Sequence, residues 1–149
     1  MREVADELRA EMAAALRRLQ TIPEIAAETP RAEGKWSRKE ILGHLVDSAC
    51  NNHQRFVRAQ LTGDLAFPGY AQDEWVARQG YADRAWAEII DTWRVANHHL
   101  AHTIERIPEG ARGHIVRIGD DAYDPPKTLE WWVRDYLRHM RHHLTQILE

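Results

Sequence analysis

Three histidines fall within five positions near the end of the chain: His139, His142 and His143, in the stretch YLRHMRHHLTQILE. A neutral imidazole is the commonest side-chain ligand for divalent transition metals. His139 and His143 form an H-x-x-x-H pair. On a helix, side chains four residues apart project side by side, one turn apart, which is the spacing that a single ion needs. Two imidazoles do not close a protein metal site, so a third ligand has to come from another element. The stretch ILGHLVDSACNNHQRF, residues 41–56, offers one in His44.

Helical phase sorts these candidates at about 100° per residue. With Tyr136 as zero, the apolar stripe of the last helix (Leu129, Trp132, Val133, Tyr136, Met140, Ile147) spans roughly 60° either side. His143 falls at about −20° and His139 at about −60°, on the inward face or its edge. His142 falls at about −120°, on the flank. His98 and His102 repeat the H-x-x-x-H spacing on the preceding helix. Measured from Trp93, however, they lie at about 140° and about 180° and point to water. Asn97, at about 40°, is the polar residue well inside that stripe. On the helix that holds His44, the stripe is Ile41, Leu45, Ala49 and Phe56. His44 lies about 100° from Leu45, and Ser48, Asn51 and Arg55 share its edge as one polar strip. Asp47, at about −160°, is expected to face solvent or a neighbouring subunit. His53, His98, His99, His102 and His142 read as solvated surface, His114 lies in a connection, and Cys50 reads as an incidental thiol.

The elements that must position these residues are helices. Residues 2–20 repeat apolar side chains at helical spacing: Val4, Leu8, Met12, Ala15, Leu19. Pro23, Pro30 and Gly34 then break the pattern. Ser37 opens a second helix with a capping box, S-R-K-E, predicted to run to about residue 61. Residues 63–80 hold glycines, Pro68 and the amphipathic piece QDEWVARQ. A third helix is predicted from about 83 to 107, stopped by Pro108. Within the connection 108–127, HIVRI alternates enough for a short strand. Thr128 caps a fourth helix over about 129–148, with Glu130 in its first turn. Four such helices in one 149-residue domain predict an all-α four-helix bundle with long connections. An α-hairpin array is the structural alternative. Any strand is expected within residues 110–124, and a sheet of three strands is not expected.

Composition narrows the function classes. A formal net charge of −3, from 20 Lys+Arg and 23 Asp+Glu, gives no reason to expect a nucleic-acid partner. The charged N-terminus MREVADELRAEMAAALRRLQ reads as neither signal peptide nor anchor, and no window approaches a membrane span. The single cysteine permits no internal disulfide, which points to a reducing cytoplasm. Six tryptophans imply a bulky core and, secondarily, an aromatic-lined cavity.

Two stretches carry a family resemblance. KWSRKEILGHLVDSACNNHQRF (35–56) resembles the W-S-x-x-E-x-x-x-H-L-x-D-S signature of the DinB/YfiT-like superfamily, and DYLRHMRHHLTQI (135–147) resembles its H-x-x-x-H. The resemblance implies up-down-down-up topology, frequent dimerisation, and a divalent cation (zinc, nickel or manganese) on three histidines that map to His44, His139 and His143. It also implies chemistry on a small-molecule substrate, in some members with a low-molecular-weight thiol. Relatives with sulfur-linked oxidation carry H-x-x-x-H-x-E, and Thr145 stands where that Glu would be.

The functional expectation is therefore a metal-dependent enzyme, a thiol transferase or hydrolase. A cation there would polarise an electrophile or lower the pKa of a water or thiol. Arg55 and Asn51 are expected to orient an anionic or polar substrate group, with Ser48 and Asn97 as further polar contacts and Trp132 and Tyr136 lining the mouth. Asp47 is the nearest general-base candidate. Each histidine is expected to bind as a neutral imidazole whose other nitrogen is held by an acceptor, and metal binding should weaken as pH falls through about 6–7. The alternative is a non-catalytic dimeric bundle that binds a metal or ligand in a closed shell. A homodimer is expected in either case, through Trp131 and Trp75 on the helix exteriors.

Overall fold

The computed structural model describes residues 1–119 and 126–149. Four long helices dominate it: α1 (Arg2–Leu19), α3 (Arg38–Ala59), α5 (Trp86–Glu105) and α6 (Leu129–Leu148). Two short helices, α2 (Glu24–Glu28) and α4 (Gln72–Gln79), sit in the connections. The all-α bundle is thus the observed architecture, and helix ends lie within three residues of those expected from periodicity. The apolar stripes close on one core that includes Leu8, Leu42, Phe56, Trp93, Leu100, Leu129 and Met140.

Pairs of contacts fix the topology. Arg2 at the start of α1 pairs with Glu105 at the end of α5, at 3.1 Å, and Trp86 at the start of α5 donates to the Leu19 carbonyl at the end of α1, at 3.0 Å, so those helices are antiparallel. Arg141 of α6 pairs with Glu11 of α1 at 2.8 Å and Arg18 reaches the Leu148 carbonyl at 2.9 Å, so α1 and α6 run parallel. Arg38 at the start of α3 donates to the Ile147 carbonyl at the end of α6, at 2.8 Å, which makes that pair antiparallel. The bundle is up-down-down-up, with α3 and α5 parallel.

The caps behave as the sequence indicates. The Ser37 hydroxyl accepts from the Glu40 amide while the Glu40 carboxylate accepts from the Ser37 amide at 2.7 Å, and the Thr128 hydroxyl accepts from the Trp131 amide. Lys39 is buried against the Glu24 carboxylate at 2.5 Å, which fastens α2 to α3.

The expectation about strands is overturned. β1 (Asp64–Phe67), β2 (Ile115–Ile118) and β3 (Lys127–Thr128) form a three-stranded sheet in the order β1-β2-β3, and β1 and β3 lie outside 110–124. Residues 120–124 of that expected range fall outside the described residues. β1 pairs parallel to β2, Asp64 opposite Ile115, and β2 antiparallel to β3. The physical reason is the topology: α3 and α5 run parallel and end together, so the segments leaving them emerge side by side in the same direction. DLAF is too short for periodicity to reveal. His114 anchors the junction through its Nδ1, 2.7 Å from the Ala59 carbonyl at the end of α3.

Asp47 is also corrected. It is only 3% exposed, and one carboxylate oxygen accepts from the Tyr81 hydroxyl at 2.7 Å and from the Gln79 amide. The turn Tyr81–Asp83 folds back over the outer face of α3. Gly43 makes room for it, since a Cβ there would lie 2.2 Å from Tyr81 Cγ. Trp131 is half-buried, edge-on to Trp132 with ring centroids 5.0 Å apart, whereas Trp75 is 41% exposed.

Candidate metal centre

The antiparallel α3–α6 contact brings His44, His139 and His143 together. One ring nitrogen from each lies within 4.8 Å of the others. Ring centroids are 5.1 Å apart for His44 and His139, 4.8 Å for His44 and His143, and 4.6 Å for His139 and His143. Trp36, just ahead of α3, packs against the His44 ring at 5.3 Å. The Nε2 atoms of His44 and His139 face each other at 3.2 Å. Two nitrogens bound to one ion at about 2.0–2.1 Å with a tetrahedral angle stand about 3.3 Å apart, so His44 and His139 have the spacing of two ligands on one divalent cation, with the His143 nitrogen within 4.8 Å as a third.

Gln146 separates His143 from His142. Its side-chain oxygen accepts from His143 Nδ1 at 2.8 Å, which places the proton there and leaves Nε2 with its lone pair. Its amide nitrogen donates to His142 Nε2 at 3.1 Å, so the lone pair of the exposed His142 ring is taken up by Gln146. For His143 the expected second-nitrogen acceptor is present. For His44 it is not: Nδ1 is buried without a hydrogen-bond partner among the described residues.

Burial keeps these rings neutral. His44 is pushed down to about 3 by desolvation, then by His139 and His143. His139 is pushed down to about 4 by desolvation, then by His143 and His142. Desolvation also lowers His143, partly opposed by its bond to Gln146. Proton competition with a metal therefore begins below the ordinary histidine range, which moves the expected loss of binding to lower pH than the sequence indicates.

Two cavities reach the cluster. One, of about 490 Å³, opens at His143 beside Trp36, Arg31 and Lys35. The other, of about 290 Å³, opens at His139. Of the expected pocket residues, Ser48, Arg55, Trp132 and Tyr136 line the second cavity, and Asn51 and Asn97 line neither. Asn51 is half-buried, and its amide donates back to the Asp47 carbonyl at 2.9 Å. Asn97 is fully buried; it donates to the Trp93 carbonyl at 2.9 Å and accepts from the Tyr136 hydroxyl. It therefore holds Tyr136 in place from behind. Asp47 lines neither cavity, which removes it as a general base there.

Six residues lining the second cavity were not expected from the sequence: Gly69 and Ile118, and the polar Asn52, Tyr70, Gln72 and Asp135. Asn52 falls at about −20° on its helix, so a polar residue inside the apolar stripe was a usable signal. Asp135, at about −100°, sits just beyond His139 on the same flank. Tyr70 arrives on the loop after β1, where no periodicity points to it. Asp135 is raised by burial, opposed by the neighbouring Arg138. His98 and His102 are exposed, as the phase argument requires. The same expectation holds less well for His53, which is half-buried with its Nε2 3.1 Å from that of His99 across α3 and α5.

Comparisons with known proteins bear on this centre. The model of a family described as the DinB superfamily matches residues 5–147. Among solved structures, YfiT from Bacillus subtilis, described as a probable metal-dependent hydrolase with an unusual four-helix bundle topology, superposes with a TM-score of 0.81 at 17% identity, over 98% of this chain and 81% of that one. A mycothiol-dependent maleylpyruvate isomerase superposes with a TM-score of 0.78 at 14% identity, over 97% of this chain and 59% of that one. At those identities the likeness is one of fold. A search of curated proteins found no match.

Proposed function

The chain belongs to the DinB superfamily, and from that membership and its imidazole cluster we propose a metal-dependent enzyme acting on a small molecule, as a thiol transferase or hydrolase. His44, His139 and His143 would hold one divalent cation: zinc, nickel or manganese. The cation would supply Lewis acidity, polarising an electrophile or lowering the pKa of a water or thiol. The chain's own residues do the rest. Gln146 fixes the proton of His143 on Nδ1. Trp36 covers the His44 ring and limits water on that side. Trp132 donates its indole N–H to the Val116 carbonyl at 2.9 Å, so a ligand in the cavity meets its ring. Asp135, with its pKa raised by burial, is a carboxylate placed to take a proton at the cavity that His139 lines.

One observation carries this reading over a closed, structural site. Among the described residues the cluster has three ligand groups and no fourth, and cavities open onto two of them. A catalytic site keeps a position open, whereas a structural one is closed by protein. The YfiT and maleylpyruvate isomerase descriptions name metal- and thiol-dependent chemistry for those proteins, and they supply the candidates for this one.

The proposal includes a cytoplasmic homodimer. No described helix is long and apolar enough to cross a membrane. Exposed Trp75 and Val95 are apolar surfaces that a second copy could cover. Metal analysis of protein purified without a histidine tag, followed by a screen of low-molecular-weight thiols, tests the reading. Wild-type protein without stoichiometric metal would remove its basis. A monomeric mass at micromolar concentration would remove the dimer.

A further inference from the structure

The cavity beside His139 holds a buried cation, Arg55, that pairs with no carboxylate among the described residues. Arg55 is 7% exposed. No described carboxylate pairs with it. Its Nη1 donates to Asn52 Oδ1 at 3.4 Å, its guanidinium carbon lies 5.3 Å from the Phe67 ring centroid, and its Nε is buried without a described partner. Lys39 shows what the fold does with a buried cation that is purely structural: it meets Glu24 at 2.5 Å and Glu28 at 3.6 Å. Desolvating a charge costs stability unless a counter-ion or full hydrogen bonding offsets it. One long hydrogen bond and a ring face are a weak offset, so Arg55 is a site prepared for an anion.

The surroundings select the anion. Ser48 Oγ is 3.4 Å from the Asn52 amide and keeps its own hydroxyl proton to donate. Tyr70, pushed up to about 12 by burial, stays neutral and is a donor as well. One guanidinium fork with two neutral hydroxyls matches a planar, singly charged carboxylate. A phosphate would bring both its charges to Arg55, where the other charged side chain lining the cavity is Asp135. His139 and Arg55 line the same cavity of about 290 Å³, whose size suits a short-chain compound.

We propose that the substrate of this centre is a small organic carboxylate, with Arg55 binding its carboxylate while the rest of the molecule extends to the imidazoles. This rests on the metal-enzyme reading for what happens at the far end. The anion site stands on Arg55 itself.

The test titrates glutarate, its neutral diamide glutaramide and inorganic phosphate into metal-loaded wild-type protein, by calorimetry and tryptophan fluorescence. Glutarate should bind at least about tenfold more tightly than glutaramide or phosphate, the scale of a charge-assisted pair. Arg55→Met should lose that preference with its metal content and circular dichroism unchanged, and Arg55→Lys should recover part of it, because an ammonium cannot make the bidentate contact. Equal binding of glutarate and glutaramide, tighter binding of phosphate, no glutarate binding at millimolar concentration, or full preference in Arg55→Met would each overturn the proposal. The wild-type ligand comparison decides even where the Met variant misfolds. Metal-free His139→Ala protein separates the two readings. Arg55-dependent glutarate binding there, in a protein whose wild type holds no metal, keeps the anion site and removes the enzyme. Intact metal with no carboxylate preference does the reverse.

Discussion

His44 Nε2 and His139 Nε2, 95 residues apart in sequence, face each other at 3.2 Å across the antiparallel α3–α6 contact. In the absence of a cation, one ring must donate a proton to the other at that distance. A divalent cation there would be held by both lone pairs. The contact also joins the first half of one bundle helix to the second half of another, so a cation held there would link its occupancy to bundle stability.

Alanine at His44, His139 or His143 should abolish stoichiometric metal in untagged protein, and His142→Ala should leave it nearly unchanged. Elemental analysis per polypeptide reads this directly. If His142→Ala strips the metal while His143→Ala retains it, the inward face of α6 has been assigned wrongly.

Gln146→Leu should weaken metal affinity by about 10–100-fold without abolishing binding, because the His143 tautomer is then no longer held. Competition with a chromophoric chelator measures it. An unchanged dissociation constant means that Gln146 positions nothing.

Chelation should lower the thermal midpoint of the wild type. At a metal concentration a hundredfold above the dissociation constant, the linkage is worth about 2.7 kcal/mol. The same chelator should have almost no effect on His44→Ala. An equal shift in both proteins would place the stabilising ion elsewhere.

Acid should destabilise the metal-free protein within a defined window. His44 and His139 sit at about 3 and about 4 when folded, against an ordinary value of 6.5. Above 6.5 both rings are neutral in the folded and unfolded chains, and their contribution is fully present. As pH falls from 6.5 towards 4 and then 3, the unfolded chain takes up protons that the folded one refuses, so stability falls. Urea midpoints of metal-free wild type should therefore drop more steeply over that window than those of metal-free His44→Ala. Parallel curves would contradict the burial effect.

Gly43→Ala should cost about 1–3 kcal/mol, the range for an overpacked core. Although alanine is the better helix former, its Cβ would meet the Tyr81 ring at 2.2 Å and push the turn that hydrogen-bonds Asp47. Denaturant unfolding measures it, and a stability gain would show that the turn yields freely.

What the sequence determined by itself is the local geometry. Helix length, the Ser37 and Thr128 caps, and the inward phase of His139 and His143 follow from a rotation of about 100° per residue that each segment sets alone. The phase of His44 on its own helix was equally readable, and family resemblance joined it to the other two. What required the tertiary structure is which segment covers which face. Asp47 points outward from the bundle, yet Tyr81 and Gln79 come back over it. Asn97 lies inside its stripe, yet it meets Tyr136 behind the cavity. β1 finds its partner far along the chain, Asp64 opposite Ile115, because two helices happen to run parallel. Arg55 stands in the polar strip by sequence, but the lack of a carboxylate paired with it among the described residues depends on every segment that could have supplied one. Periodicity fixes where a side chain points from its own axis. Burial, pairing and charge balance depend on what the rest of the chain brings there, and those contacts are made between residues far apart in sequence.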